Sequence, residues 1–244
     1  MSQSYYTMIQ MPKVRNHFHR CRAGTSPITI PACSKVYKMT FNPEDLIQSI
    51  VDSLGRIQPV EASELPDISL YMDQVTTFME KAMEHAKRHP TDKVLTKTMI
   101  NNYAKNRLIP PPDKKKYDKD HMIMLMFIYY FKNILSINDI EKLMTPLSEN
   151  YFHSKGNISL EDIYTEVIGL SMDQVAPLQS FVREKYSVSE KISEDAASRG
   201  ASESDCEFLQ IFSFICALAF DVYVKRLMIE KLIDFFPEPD PKKK

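Results

Sequence analysis

Apolar residues recur at helical spacing along most of the chain, and each run is bracketed by residues that start or stop helices. Asn42 stands before Pro43 and the acids Glu44 and Asp45, after which Leu46, Ile47, Ile50, Val51 and Leu54 share one face until Gly55. A side-chain cap, a proline at the first helical position and acids in the first turn are what a helix N-terminus accepts most readily, so a helix is predicted there. Residues 56–67, with Pro59 and Pro66, read as a linker. From Ser69 the spacing of Tyr71, Val75, Phe78, Met79, Ala82, Met83 and Ala86 predicts a second helix, ended by Pro90. Thr96 then caps a short helix, with Leu95 and Ile100 placed as a hydrophobic staple, that runs to about Asn106 and stops before Pro110 to Pro112.

Asp118 caps the next helix, whose Met122, Leu125, Met126, Ile128, Tyr129 and Phe131 cover more than one face and so imply burial on several sides. Ser136 with Asp139 opens a further short helix through Met144, and Ser159 with Asp162 opens another, interrupted at Pro177. A polar loop is expected from about Ser189 to Ser202, after which Ser204 with Glu207 opens a last helix that ends near Phe236, roughly 48 Å long at 1.5 Å per residue. Residues 1–40 show no sustained periodicity.

Composition narrows the class. The 244 residues include five glycines, fourteen methionines and no tryptophan, which with the helical spacing argues for an all-α fold rather than a sandwich, barrel or glycine-rich nucleotide fold. The net charge of -1 hides a basic start, because Lys13, Arg15, Arg20, Arg22, Lys35 and Lys38 precede Glu44, the first acid. Cys21, Cys33, Cys206 and Cys216 form no C-x-x-C pair, so a reducing, cytoplasmic setting is expected. The apolar run from Phe208 to Phe220 is 13 residues, short of the ~20 that cross a bilayer. It reads as a buried helix in a protein without a membrane role.

Candidate chemistry concentrates at residues 93–117. On a helical wheel Met99, Ile100 and Tyr103 point one way, while Lys97, Thr98, Asn101 and Lys105 point the other, with Asn102 at the border. That exposed face carries amides and ammonium groups but no carboxylate. Such a face suits a major groove: Asn pairs bidentately with adenine, Lys donates to guanine or phosphate, and Thr touches a thymine methyl. From Lys93 to Tyr117 there are seven Lys or Arg against one acid, Asp113, a footprint suited to phosphate. Pro110 to Pro112 stiffen the lead into Lys114-Lys115-Lys116-Tyr117, laid out as a small basic wing. A lysine triplet alone is more often a solvated loop; its place after a capped, Asn-rich helix favours nucleic-acid contact.

Met99-Ile100-Asn101-Asn102-Tyr103-Ala104-Lys105-Asn106-Arg107-Leu108-Ile109-Pro110 resembles the MerR pattern of a Thr-Leu-Arg-Tyr-Tyr helix followed by Gly-Leu-Leu-Pro. Ser136-Ile137-Asn138-Asp139-Ile140 is similar to that family's Ser-Leu-x-Glu-Ile, and Tyr117 with its following helix also matches. Leu95-Thr96-Lys97-Thr98-Met99-Ile100-Asn101-Asn102-Tyr103, with Leu70 to Val75, further resembles an uncharacterised bacterial family described as having a MerR-like DNA-binding region. The resemblance covers residues 68–145 and implies a winged helix-turn-helix, with Tyr103 as a backbone-contacting residue and Lys114 to Lys116 as the wing. Asn101 stands where MerR proteins carry Arg, Arg107 replaces the turn Gly, and the wing lacks the Gly-Tyr-Arg of the family.

His85 and His89 with Glu84, and His17 and His19 with Cys21, are weak metal clusters that read better as surface residues. No nucleophile elbow, P-loop, Rossmann glycine pattern or H-E-x-x-H occurs, so neither an enzyme nor a cofactor is expected. The expected architecture is all-α: an N-terminal region at 1–60 with one helix, a MerR-like winged helix-turn-helix at 68–145, and a helical C-terminal region at 155–237 for assembly or effector binding. The expected partners are double-stranded DNA and a second copy in a homodimer, with no convergent polar group marking an effector pocket. Base contact is expected of Lys97, Thr98, Asn101 and Lys105, and phosphate contact of Asn102, Tyr103, Lys114, Lys115 and Lys116. The alternative is a non-enzymatic protein-interaction module on the same helical domain.

Overall fold

Asn42, Thr96, Asp118, Ser136 and Ser159 cap helices where their spacing predicts, and the helices then assemble around two apolar clusters. The computed structural model describes residues 42–56 and 59–238, all within one compact unit. The basic arm at 1–40, with His17, His19 and Cys21, lies outside the described residues. In chain order the elements are α1 (Pro43–Leu54), β1 (Leu70–Tyr71), α2 (Met72–Ala82), α3 (Lys97–Lys105), β2 (Lys116–Tyr117), α4 (Lys119–Phe131), α5 (Ile137–Asn150), α6 (Leu160–Met172), α7 (Val175–Ser198) and α8 (Glu203–Ile233). Single 3-10 turns stand at Ala62–Glu64 and Glu84–Ala86. The chain is thus mostly helical. The one sheet among the described residues pairs β1 with β2 antiparallel, Leu70 opposite Tyr117 and Tyr71 opposite Lys116.

The first cluster is built around α4. Eight consecutive residues, His121 to Ile128, are buried, because β2, α5 and α6 all pack against this helix. A large apolar side chain taken fully out of water contributes about 1.5–3 kcal/mol, so α4 is the stabilising hub that the surrounding elements are hung upon. Val75 and Met79 of α2, Ile100 and Tyr103 of α3, Met144 of α5 and Leu160 and Tyr164 of α6 complete this cluster. The buried Tyr164 hydroxyl donates to the Val60 carbonyl at 2.6 Å and so ties α6 back to the start of the segment. The second cluster joins α1 to α7 and α8 through Ile47, Val51, Val182, Tyr186 and Phe214. Gln179 Nε2 donates to the Val51 carbonyl at 2.9 Å, and Arg183 donates to Gln48 Oε1 at 3.0 Å, fixing α7 across α1. Packing therefore places α1 with the C-terminal hairpin, and α6 with the helices that precede it.

Several boundaries differ from the sequence reading, each for a local reason. The second helix stops at Ala82 rather than near Pro90, and β1 takes its first residues. Beyond it Ala86 is exposed, while Glu80 gathers Lys87, Lys93 and the Val94 N–H and turns the chain back. The fifth helix runs through Pro146 to Asn150 rather than ending at Met144, because Met144 and Leu147 both pack into the first cluster. The expected loop at 189–202 is instead largely helix: α7 continues to Ser198, and its polar residues are the solvated side of a helix whose Val182, Tyr186 and Ser189 are buried. Ser202 with Asp205, not Ser204 with Glu207, forms the capping box of α8.

The largest correction concerns α8 itself. It was expected to be buried, yet Phe212, Phe220, Tyr223 and Leu232 are exposed, because α7 runs along one side of it while α1 and α5 touch it only locally. By length and composition it is long and apolar enough to cross a membrane.

Candidate nucleic-acid interface

The short helix α3 begins where Thr96 Oγ1 accepts the Met99 N–H at 3.2 Å. Its inner face is anchored by Ile100 and Tyr103, with Met99 and Ala104 packed beside them. Lys97, Thr98, Asn101, Asn102 and Lys105 are exposed. The wheel separation read from the sequence is therefore realised, and α3 contains no acid. Tyr103 is placed differently from the other candidates: it is only 7% exposed, and burial raises the pKa of its phenol. Its ring holds α3 to the core, which leaves it little surface for a phosphate.

The end of α3 is a Schellman motif. The Leu108 N–H bonds the Tyr103 carbonyl at 2.9 Å and the Arg107 N–H bonds the Ala104 carbonyl at 3.2 Å, with Arg107 at φ +59°. This is the left-handed position where glycine is preferred; here it carries an exposed guanidinium instead. Leu108 and Ile109 then bury themselves in the first cluster and carry the chain toward Asp113.

Asp113 to Lys116 make a tight turn. The Lys116 N–H bonds the Asp113 carbonyl at 2.8 Å, and both central residues have positive φ, +48° at Lys114 and +63° at Lys115. Two positive φ values in succession mark a type I′ hairpin turn, for which Asn-Gly is the favoured pair. Lysines at both positions work against the local backbone preference, a left-handed side-chain-bearing residue costing about 1–2 kcal/mol. Both are exposed, whereas Lys116 is half-buried with its ammonium 5.1 Å from the centre of the Tyr71 ring on β1.

The surroundings fix these two basic features on α2, which packs against both α3 and β2. Lys97 is ion-paired with Asp73 in the first turn of α2, both well exposed. Lys105, Lys114 and Lys115 make no ion pair among the described residues. The stretch 83–96 between α2 and α3 is much longer than the three or four residues that join helices in a simple helix-turn-helix. It is held from both sides. Glu80 accepts from Lys87 and from the Val94 N–H, and those two bonds, the first the stronger, hold its carboxyl below the ordinary range. From α4's end the Lys132 ammonium donates to the Val94 carbonyl at 2.5 Å, and burial lowers its pKa. Leu95 and Thr96, which start α3, follow directly from this clamp.

Behind β2, Asp118 caps α4 and is shared by two histidines. His121 Nδ1 lies 2.8 Å from Oδ1, and His153 Nε2 lies 2.6 Å from Oδ2. Burial alone would raise the Asp118 pKa, but hydrogen bonds from the His121 ring and backbone and from His153 hold it well below the usual carboxylate range. The hairpin thus leads straight into a rigid helix start. Asp73, Glu80 and Lys132 were not singled out from the sequence, whereas Arg107 was, as the residue that replaces the turn glycine after a capped helix.

Residues 60–167 match the profile of a domain of unknown function, DUF1836. The matched segment nearly coincides with the first apolar cluster and is closed at its ends by the Tyr164–Val60 hydrogen bond. No curated protein and no solved structure matches the chain.

Proposed function

We propose that this chain is a non-enzymatic, double-stranded-DNA-binding regulator that reads DNA with α3 and grips the phosphodiester backbone with the Asp113–Lys116 turn, in the manner of a MerR-like winged helix-turn-helix. The observation that carries this reading is the pair of lysines held at positive φ at the tip of that turn. Strained backbone is found where a side chain is needed for function. Here the cheaper residues would be Asn and Gly, and what the lysines add is charge presented to solvent. The acid-free outer face of α3 supplies the second half of the interface, with Lys97, Thr98, Asn101 and Lys105 placed for base edges and Asn102 for phosphate. Lys97 enters DNA by exchanging its exposed partner Asp73 for a base or phosphate. Such an exposed pair is worth only ~0–1 kcal/mol, so the exchange is cheap. Tyr103 serves by positioning α3.

The test is neutralisation by parts. Lys105→Ala and Lys114→Ala are each expected to weaken binding, Lys114→Ala equally on all sequences and with a salt slope smaller by about one. Unchanged affinity in both variants would remove the proposal.

A protein-interaction module is the second reading, favoured by one feature. A cleft of about 540 Å³ between α2 and the 83–96 stretch is lined by both signs of charge, Glu80 and Glu84 with Lys87, Lys93 and Lys97. A mixed-charge cleft beside α3 fits a peptide better than a polyanion. Such a module retains its partner after Lys114 and Lys115 are neutralised.

A further inference from the structure

We infer that Asp73 sets the sequence selectivity of the α3 interface by cancelling the charge of Lys97 while leaving it free to donate to a base edge; this rests on the nucleic-acid reading and deepens it. Lys97 is ion-paired with Asp73, while Lys105, Arg107, Lys114 and Lys115 make no ion pair among the described residues. The cations of the interface therefore differ in kind. The last residue of α3 and the hairpin tip carry free charge, whereas the first residue of α3 carries a cancelled one.

The pair is set by the fold. Asp73 stands in the first turn of α2 and Lys97 is the first residue of α3, and these two helices pack against each other. The start of α3 is fixed by the clamp on Val94, whose N–H donates to Glu80 and whose carbonyl accepts from Lys132. Both partners remain within reach of a ligand, with 59% of the Lys97 side chain and 77% of the Asp73 side chain exposed.

Phosphates and base edges respond differently to such a pair. A free cation that neutralises a phosphate releases a counterion, and does so on any sequence. If Lys97 leaves Asp73 for a phosphate, the freed carboxylate faces a polyanion and the gain is lost. If it turns to a guanine edge, the acceptors O6 and N7 are uncharged, and one of the three ammonium N–H groups can stay with the carboxylate. Asp73 thus opposes the first contact and permits the second. The N-terminal residues of a recognition helix are those that meet base edges, and Lys97 holds that position in α3. Asp73 takes this cation out of the sequence-independent grip, which Lys105, Lys114 and Lys115 supply. An acid in the first turn also stabilises α2 through the helix dipole, but that role leaves the salt dependence of DNA binding untouched.

The test compares Asp73→Asn with wild type on random duplexes across a salt series, and on pools sequenced after selection. Asp73→Asn frees Lys97 for phosphate, so log affinity against log salt should steepen by about 0.9, which makes the gain over wild type about 3.5-fold larger at 50 mM than at 200 mM salt. The preference for guanine at one position of the selected site should weaken at the same time. In a chain carrying Lys97→Met there is no cation to free, and the steepening caused by Asp73→Asn should vanish. A steepening that persists there means general repulsion by the acid and overturns the pairing. An unchanged slope, or a steeper slope with undiminished guanine preference, overturns the selectivity role. In each of these cases the wild type still binds and the nucleic-acid reading stands; a wild type that binds no duplex at low salt overturns both.

Discussion

Replacing Lys114 by Asn and Lys115 by Gly separates what the hairpin tip costs from what it does. The two lysines lie at φ +48° and +63°, each costing about 1–2 kcal/mol relative to an ordinary backbone conformation. Glycine removes its share and asparagine part of its own, while the freedom glycine gains in the unfolded chain returns about 0.4–1 kcal/mol. The net expectation is a stabilisation of about 1 kcal/mol, a rise in Tm of about 2–4 °C for a unit of this size. Binding should move the other way. Two phosphate-neutralising cations account for about 1.8 in the slope of log K against log salt, so between 50 and 200 mM salt the wild type should lose about tenfold more affinity than the variant. Thermal denaturation followed by circular dichroism reads the first quantity, and fluorescence anisotropy on a labelled duplex at several salt concentrations reads the second. Lys114→Ala with Lys115→Ala serves as the control that removes the charges without easing the turn. A variant no more stable than wild type, or more stable with an unchanged salt slope, would refute the view that the lysines are kept there for charge.

Three further changes probe other parts of the interface. Asn101→Ala is expected to relax the preference for one base pair by about 1–3 kcal/mol while leaving affinity for random duplex nearly unchanged, as sequencing of selected oligonucleotides would show; equal losses on both contradict a base-reading role. Asp118→Ala should cost about 1–2 kcal/mol at neutral pH for the lost helix cap alone. Because the Asp118 carboxyl is held low in the folded chain, that contribution is complete above the ordinary aspartate range and fades as pH falls through the folded value. The difference in stability between variant and wild type should therefore narrow in acid, and a constant difference on denaturant unfolding argues against the sign. Tyr164→Phe leaves the Val60 carbonyl without its donor and should cost about 1 kcal/mol; no change in unfolding midpoint would show that the hydrogen bond contributes nothing to closing the segment.

Much of the helical plan was legible because caps and apolar spacing are local properties. Thr96, Asp118, Ser136 and Ser159 each cap the helix they were expected to cap, and the uniformly apolar stretch after Asp118 is indeed buried on several sides. What failed depended on partners distant in sequence. The turn at Met83 is made by Glu80 reaching Lys87 and Val94, and no periodicity announces it. Ser189 to Ser198 looked like loop because an exposed helix face and a loop share the same polar composition, and only α8 beside it decides between them. α8 shows the reverse error: a run of apolar residues does not by itself mean that the rest of the chain covers the helix, and Phe212, Phe220, Tyr223 and Leu232 stay exposed. At the interface the exposed lysines and asparagines were readable from the wheel. The backbone signs at Arg107, Lys114 and Lys115, and the loss of Tyr103 to the core, required the folded structure.

The account stands most directly on whether the chain binds duplex DNA through cations at this tip and helix. Purified full-length protein titrated into a pool of random duplexes, across a series of salt concentrations, measures this in one experiment. Binding whose log affinity falls against log salt with a slope of at least about -3, as Lys105, Lys114, Lys115 and Lys116 together require, is the result predicted. No binding at low salt, or binding insensitive to salt, would contradict it and leave the cleft between α2 and the 83–96 stretch as the surface to pursue with peptides.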